Sequence, residues 1–169
     1  FLLHLALLGL FRAKWTERIH EEWITALLKK RPDLQREKLE RTKILMNKHA
    51  EECLVEDYEN LIEAVALPDP NDRHVLAAAI KANAAVIVTF NMKDFPQEAL
   101  NPYGIEAQDP DTFISHLLNL NPGAVCLAAK RQRGNLQHPP KGVVDFLETL
   151  EAQSLPQTVS ILRSFAQLI

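Results

Sequence analysis

The sequence is poor in several things at once, and each scarcity closes off a class of protein. Its two cysteines, Cys53 and Cys126, lie far apart with no Cys/His spacing around them. Neither a disulfide framework nor a structural zinc site is expected, and a reducing cytoplasm is the simplest home. Five glycines in 169 residues form no Gly-rich phosphate loop, which argues against a nucleotide-binding α/β domain of that kind. The longest apolar stretch, Phe1 to Phe11, is interrupted by His4 and is too short to span a bilayer, so no membrane role is expected. Nor is there a basic excess: 19 Lys and Arg stand against 22 Asp and Glu, a net charge of -3. Positive charge for a polyanion must therefore be local, and the balance leaves room for a cluster of carboxylates. What is present is an ordinary globular composition, 47% hydrophobic and 24% charged, long enough for one domain with a helical extension.

Along the chain, helical and strand-like patterns alternate. Phe1–Gly9 reads as a largely buried helix and Phe11–Trp15 as a short strand. Thr16 is an N-cap for a helix carrying Ile19, Trp23, Ala26 and Leu27 on one face, and Pro32-Asp33 opens another over roughly 33–48. Residues 54–66 suggest a turn of helix and a short strand. Leu67-Pro68-Asp69-Pro70-Asn71-Asp72 is a turn followed by a cap, because each proline disfavours helix at the residue before it and Asp is a preferred N-cap. Arg73–Ala82 is then a helix with a small-residue face of Ala77, Ala78 and Ala79. Ala84–Thr89 is the clearest strand, apolar on both faces as a central parallel strand must be. A loop to Pro96, a further short strand over Gly104–Gln108 and a helix from Pro110 to Asn119 follow. Beyond residue 120 the pattern is helical throughout, over roughly 122–132, 141–152 and 156–168, with breaks at Gly134, Pro139-Pro140 and Pro156. The fold class expected is α/β with a central parallel sheet over 1–119 and a helical C-terminal extension over 120–169. The apolar positions of the last two helices serve to cap the core in the first instance, and a docking surface in the second.

Charge is segregated. Residues 29–48 hold eight Lys or Arg against three acids, whereas 49–72 hold eight acids and no Lys or Arg. Such blocks are ordinarily solvated helix faces; the rival reading is a phosphate-tracking surface beside an acidic, metal-holding one. Asp69 and Asp72 precede the Ala-rich helix, and Asn91 and Asp94 follow the buried strand, where open α/β sheets bind their ligands. Oxygen donors converging there suit Mg²⁺ or Mn²⁺. Each also has a plain structural explanation, as a cap, a turn residue or a loop tie. Of the pair Glu21 and Glu22, helix geometry places Glu22 on the flank of the apolar face near Ala26 and Glu21 nearly opposite, so Glu22 is the candidate. The six histidines are scattered with no ligand-spaced pair, and no catalytic role is expected of them.

Leu67-Pro68-Asp69-Pro70-Asn71-Asp72-Arg73-His74-Val75-Leu76-Ala77-Ala78-Ala79, followed by Ala85-Val86-Ile87-Val88-Thr89-Phe90-Asn91-Met92-Lys93-Asp94-Phe95-Pro96, resembles the PIN domain, in particular VapC-type toxins with a helical C-terminal region. Thr16-Glu17-Arg18-Ile19-His20-Glu21-Glu22-Trp23 resembles the upstream helix of the same fold. The resemblance implies a three-layer α/β/α fold and a metal-dependent ribonuclease using Mg²⁺ or Mn²⁺, often the toxic half of a pair with an antitoxin, and a homodimer. Carried over by position, Glu22 and Asp72 match the family's second and third acidic residues. The fourth position usually holds Asp; here it is Asn91, with Asp94 three residues on to supply the carboxylate. Glu22, Asp72 and Asp94 are the implied catalytic residues and, with Asn91, the metal ligands; Asp69 and Thr89 are expected to support them, and Arg73 and Lys93 to meet the RNA. The family's first acidic residue lies on an opening strand, which is expected upstream of Phe1 because the sequence begins inside the helix that follows it. That gap and Asn91 together motivate the alternative of a catalytically impaired scaffold acting as a binding or regulatory module.

Overall fold

In the computed structural model, which describes residues 1–137 and 139–169, two short strands form the sheet. β1 (Val86–Val88) pairs with β2 (Glu106–Gln108). The Glu106 N–H donates to the Ala85 carbonyl at 3.0 Å and the Thr89 N–H to the Gln108 carbonyl at 2.9 Å; the bonds ascend together along both strands, so the pairing is parallel. With nine helices among the described residues, the chain is α/β with C-terminal helices, as its alternating pattern predicts. None of the described helices is long and apolar enough to cross a membrane.

The residues fall into two compact units. One comprises Phe1–Phe11, Val88–Phe90 and Gln108–Ile169. Its helices are α1 (Leu2–Leu7), α6 (Pro110–Leu120), α7 (Pro122–Asn135), α8 (Val143–Ala152) and α9 (Pro156–Arg163). Leu5, Ile114, Leu118, Val125, Phe146, Leu150, Val159 and Leu162 are buried together in its core. The apolar positions of α8 and α9 thus cap the core, leaving Val144 66% exposed outside it. Asp109 starts α6, its carboxylate accepting the N–H groups of Asp111 and Thr112 at 3.0 Å each. Burial pushes the Asp109 carboxyl up, but the bonds from the Thr112 hydroxyl and the two backbone N–H groups outweigh it and leave it below its ordinary value. Asp111, 4% exposed, plays the same part at long range: its carboxylate accepts the N–H groups of Gln157 and Thr158 at 2.8 Å each, satisfying the first turn of α9.

The other unit comprises Arg12–Ile87 and Asn91–Ala107. It contains α2 (Glu17–Lys30), α3 (Arg36–His49), α4 (Arg73–Lys81) and α5 (Gln97–Leu100). Thr16 caps α2, accepting the Ile19 N–H at 3.1 Å. Leu76, Ile87, Leu100 and Ile105 form one core cluster, and Ala77 and Ala78 pack with Val55 and Tyr58 in another, so the small-residue face of α4 is buried. Gly104, at φ 66°, ends a 3₁₀ turn over Asn101–Tyr103 and sends the chain into β2, a left-handed conformation suited to glycine.

Several boundaries differ from the sequence expectation. The strand over Phe11–Trp15 is reduced to a single parallel bridge between Trp15 and Leu54; Arg12 is exposed, and among the described residues only Trp15 has a backbone partner there. The helix expected from Pro32-Asp33 begins at Arg36, because the Arg31 guanidinium holds the Asp33 carboxylate through two bonds of 2.7 and 2.6 Å and leaves it no helix end to cap. The break expected at Gly134 falls inside α7, which runs to Asn135, and α9 stops at Arg163. On α2, Ala26 is exposed, and the buried pair is His20 and Ile24. His20 is 0% exposed. Trp23 Nε1, which can only donate, lies 2.9 Å from His20 Nδ1, so the ring proton is on Nε2 and meets Asn47 Oδ1 at 2.9 Å. Asn47 Oδ1 also accepts from Trp15 Nε1 at 2.7 Å. This half-buried network ties α2, α3 and the Trp15 bridge together. A histidine without a catalytic reading in the sequence is here a structural centre.

Candidate metal centre

Two 3₁₀ turns present the acidic side chains, and 3₁₀ geometry explains why. Residues i and i+3 eclipse one another in such a turn. The first spans Pro70–Asp72 with Asp69 as its cap, so Asp69 and Asp72 stand one above the other. The second spans Met92–Asp94 with Asn91 before it, which brings Asn91 over Asp94. Asp69 accepts the Asn71 N–H at 2.8 Å, the turn chemistry its position predicts. Asp72 occupies the N-cap place of α4 but makes no capping bond. Its carboxylate is therefore available, and it faces Asn91 Nδ2 at 3.3 Å.

Asp69, Asp72 and Asp94 each contribute one oxygen to a group whose members all lie within 4.8 Å of one another. All three are half-buried. Among the described residues, no lysine or arginine pairs with any of them; Asn91, a neutral donor, bridges Asp94 at 2.6 Å and Asp72 at 3.3 Å. The electrostatic consequence falls on Asp72. Burial first, then the charges of Asp69, Asp94 and Glu22, push its carboxyl above the ordinary range. Like charges gathered without a counter-ion disfavour ionisation in this way. The donor set is all oxygen, negative and partly desolvated, which fits a hard divalent cation.

Glu22 lies outside that group of three. Its Oε1 is 3.2 Å from Arg18 Nε and 3.0 Å from His74 Nε2, and Arg18 Nη2 donates to the Asn71 carbonyl at 3.3 Å. His74 is fully buried on α4, and burial lowers its basicity more than the Glu22 carboxylate restores it. Arg73 opens α4, half-buried, with an Nε that has no hydrogen-bond partner among the described residues; Lys93 is exposed in the second turn. Thr89 follows β1 and is held by its N–H to Gln108. Of the basic block, Arg31, Arg36 and Lys43 are consumed in pairs with Asp33, Glu21, Glu40 and Glu17; Arg31 and Arg36 are exposed, the solvated-face reading for those two, whereas Lys43 is half-buried. Asp69, expected from the sequence to support the ligands, is grouped directly with Asp72 and Asp94, as its i, i+3 relation to Asp72 across a proline turn allows, and one further contact is not foreshadowed by the sequence. His74 meets Glu22, and its place with Ala77 and Ala78 on the buried face of α4 was the available clue.

The PIN domain model matches residues 1–93, more than half of the chain. The chain belongs to the PIN domain family. A second model, the VapC50 C-terminal domain, matches residues 110–164. A protein of Mycobacterium tuberculosis (strain ATCC 25618 / H37Rv) named "Putative ribonuclease VapC50" is 57% identical over 49 residues, which cover 29% of this chain and 29% of that relative. The aligned stretch is thus well under two thirds of the relative's length. No solved structure matches the chain.

Proposed function

We propose that the protein is a divalent-metal-dependent ribonuclease, the toxin of a VapBC-type toxin–antitoxin pair, acting in the cytoplasm. The observation that carries this reading is the group of three carboxylates from Asp69, Asp72 and Asp94, to which no lysine or arginine is paired among the described residues. Membership of the PIN family and the likeness to a relative named as a ribonuclease support it. Asp69, Asp72 and Asp94 hold Mg²⁺ or Mn²⁺, with Glu22 as a further ligand and Asn91, whose amide donates to Asp72 and Asp94, steadying those carboxylates. The chemistry supplied by a bound ion is activation of water and relief of negative charge at the scissile phosphate. The chain's own part is to gather the carboxylates before any ligand arrives. Two 3₁₀ turns do this, and Asn91 bridges Asp72 and Asp94 without cancelling their charge. Arg73 and Lys93, beside the two turns in sequence, supply the local positive charge that RNA phosphates need in a chain of net charge -3. An antitoxin and a second copy of the chain are the protein partners.

The test is cleavage of a mixed-sequence single-stranded RNA by the polypeptide, with any segment that precedes Phe1 in its natural context. Cleavage in Mn²⁺ or Mg²⁺, abolished by EDTA and by Asp72→Asn with the fold retained, is the expected result. Folded protein with the same background in all three conditions would favour the impaired scaffold, to which the amide at Asn91 in place of a carboxylate already lends some weight.

A further inference from the structure

His74 is 1% exposed, and such a residue must account for both ring nitrogens. Nε2 lies 3.0 Å from Glu22 Oε1. Nδ1 has no hydrogen-bond partner among the described residues. A proton on Nδ1 would be a buried donor without an acceptor, so the proton belongs on Nε2, where the Glu22 carboxylate accepts it. The contact joins α4, two residues after Asp72, to α2. A buried imidazole on a face otherwise made of alanines is costly to maintain for packing alone, and its single polar contact is with an acidic side chain that is itself 50% exposed.

The oxygens of Glu22 are used unequally. Both Arg18 and His74 engage Oε1; Oε2 has no hydrogen bond or ion pair with any described residue. Arg18 also donates to the Asn71 carbonyl, in the turn that presents Asp69 and Asp72. A glutamate side chain in water samples many rotamers, and an exposed helical one has no reason to keep a single pose. Here a rigid donor, sunk in the core, takes one oxygen and leaves the other.

We propose that His74 is the positioning residue for Glu22, donating its Nε2 proton to Oε1 and so reserving Oε2 for the divalent cation held by Asp69, Asp72 and Asp94. The inference rests on the metal-dependent reading above. It assigns to the His of the Asp72-Arg73-His74 run the part that groups bonded to a ligating carboxylate play in metal sites, which fix its orientation without touching the metal.

The experiment measures Mn²⁺ affinity by calorimetry for the unaltered chain, His74→Leu, His74→Gln, Glu22→Gln and the double variant His74→Leu with Glu22→Gln, together with the ¹⁵N signals of the His74 ring in the metal-free unaltered chain and Glu22→Gln. His74→Leu is expected to weaken Mn²⁺ binding roughly 10–100-fold. His74→Gln, whose amide places a donor near the position of Nε2, is expected to restore most of it, and the double variant to bind no more weakly than Glu22→Gln alone. The ring signals should show the Nε2–H tautomer and a shift of Nε2 in Glu22→Gln. KM for RNA should stay within about twofold while kcat falls. Equal weakening in His74→Gln and His74→Leu, additive losses in the double variant, or unchanged binding in His74→Leu would overturn the proposal and leave the metal reading standing. No Mn²⁺ binding by the unaltered chain would overturn both. Should His74→Leu fail to fold by circular dichroism, the ring signals and the comparison of His74→Gln with Glu22→Gln decide the matter: an Nε2 signal indifferent to Glu22→Gln overturns the proposal.

Discussion

The side-chain amide of Asn91 stands between two carboxylates, its Nδ2 2.6 Å from Oδ2 of Asp94 and 3.3 Å from Oδ2 of Asp72. An amide there tempers the repulsion of the cluster without adding charge or removing any. Asn91→Asp should therefore act in opposite directions on two properties. Without metal, a fourth carboxylate replaces a hydrogen-bond donor and lowers the melting temperature; with Mn²⁺, the added charge tightens binding, by about tenfold for ~1.4 kcal/mol of extra interaction. Thermal melts in EDTA and calorimetry in Mn²⁺ read the two effects. A variant that melts higher in EDTA would show that the amide is not relieving repulsion.

Neutralising Asp72 should stabilise the metal-free protein. Its carboxyl is pushed up by burial and by Asp69, Asp94 and Glu22, so the folded chain holds this proton to higher pH than the unfolded chain does. The sign follows from linkage: with more protons bound in the folded state, stability falls as pH rises through the group's raised value, and the ionised side chain is a liability at neutral pH. Asp72→Asn is expected to melt a few degrees higher than the unaltered chain in EDTA at pH 7, with the difference vanishing in acid below the ordinary carboxylate range. Added Mn²⁺ should raise the melting temperature of the unaltered chain and not that of the variant. A variant less stable than the unaltered chain at pH 7 would contradict this account of the cluster.

A separate carboxylate, Asp111, carries structure alone. Its two oxygens take the backbone N–H groups of Gln157 and Thr158 in a buried setting. Asp111→Ala strips both acceptors from the start of α9 and should cost about 2–3 kcal/mol, roughly 5–10 °C in melting temperature. Asp111→Asn, which retains one acceptor, should lose about half as much. Chemical denaturation of the two variants checks the order; equal stability of Asp111→Ala and the unaltered chain would mean that the N–H groups find other partners.

How far the sequence reveals this molecule depends on the range over which each feature is decided. Local signals read well. The Thr16 cap, the Asp69–Asp72 turn and the helix beginning at Pro110 are set by neighbours a few residues away, and the structure has them where the pattern puts them, while the apolar run Ala84–Thr89 keeps a strand only over Val86–Val88. The pattern over Phe11–Trp15 does not become a strand because a strand is made by its partner, and among the described residues only Trp15 finds one, in Leu54. α3 starts later than its pattern predicts because Asp33 is taken by Arg31, a side-chain competition that propensity does not weigh. At the site, spacing pointed to Asp72, Asn91 and Asp94, whereas two assignments needed three dimensions. Asp69 shares the carboxylate group through the eclipsing of a 3₁₀ turn, and His74 meets a glutamate from a helix some fifty residues earlier. His20 and His74, unremarkable as letters, are among the most buried polar side chains of the chain; burial of a histidine is written in tertiary contacts.

The central claim is that Asp69, Asp72 and Asp94 together hold a divalent cation. The most direct measurement is the Mn²⁺ affinity of the unaltered chain beside Asp72→Asn and Asp94→Asn, each first shown to be folded. The account predicts saturable binding to the unaltered chain and a loss of at least about tenfold in each variant, the scale expected when a charged ligand worth ~1.4 kcal/mol or more is removed. Binding that is absent from the unaltered chain, or equal in all three, would contradict it.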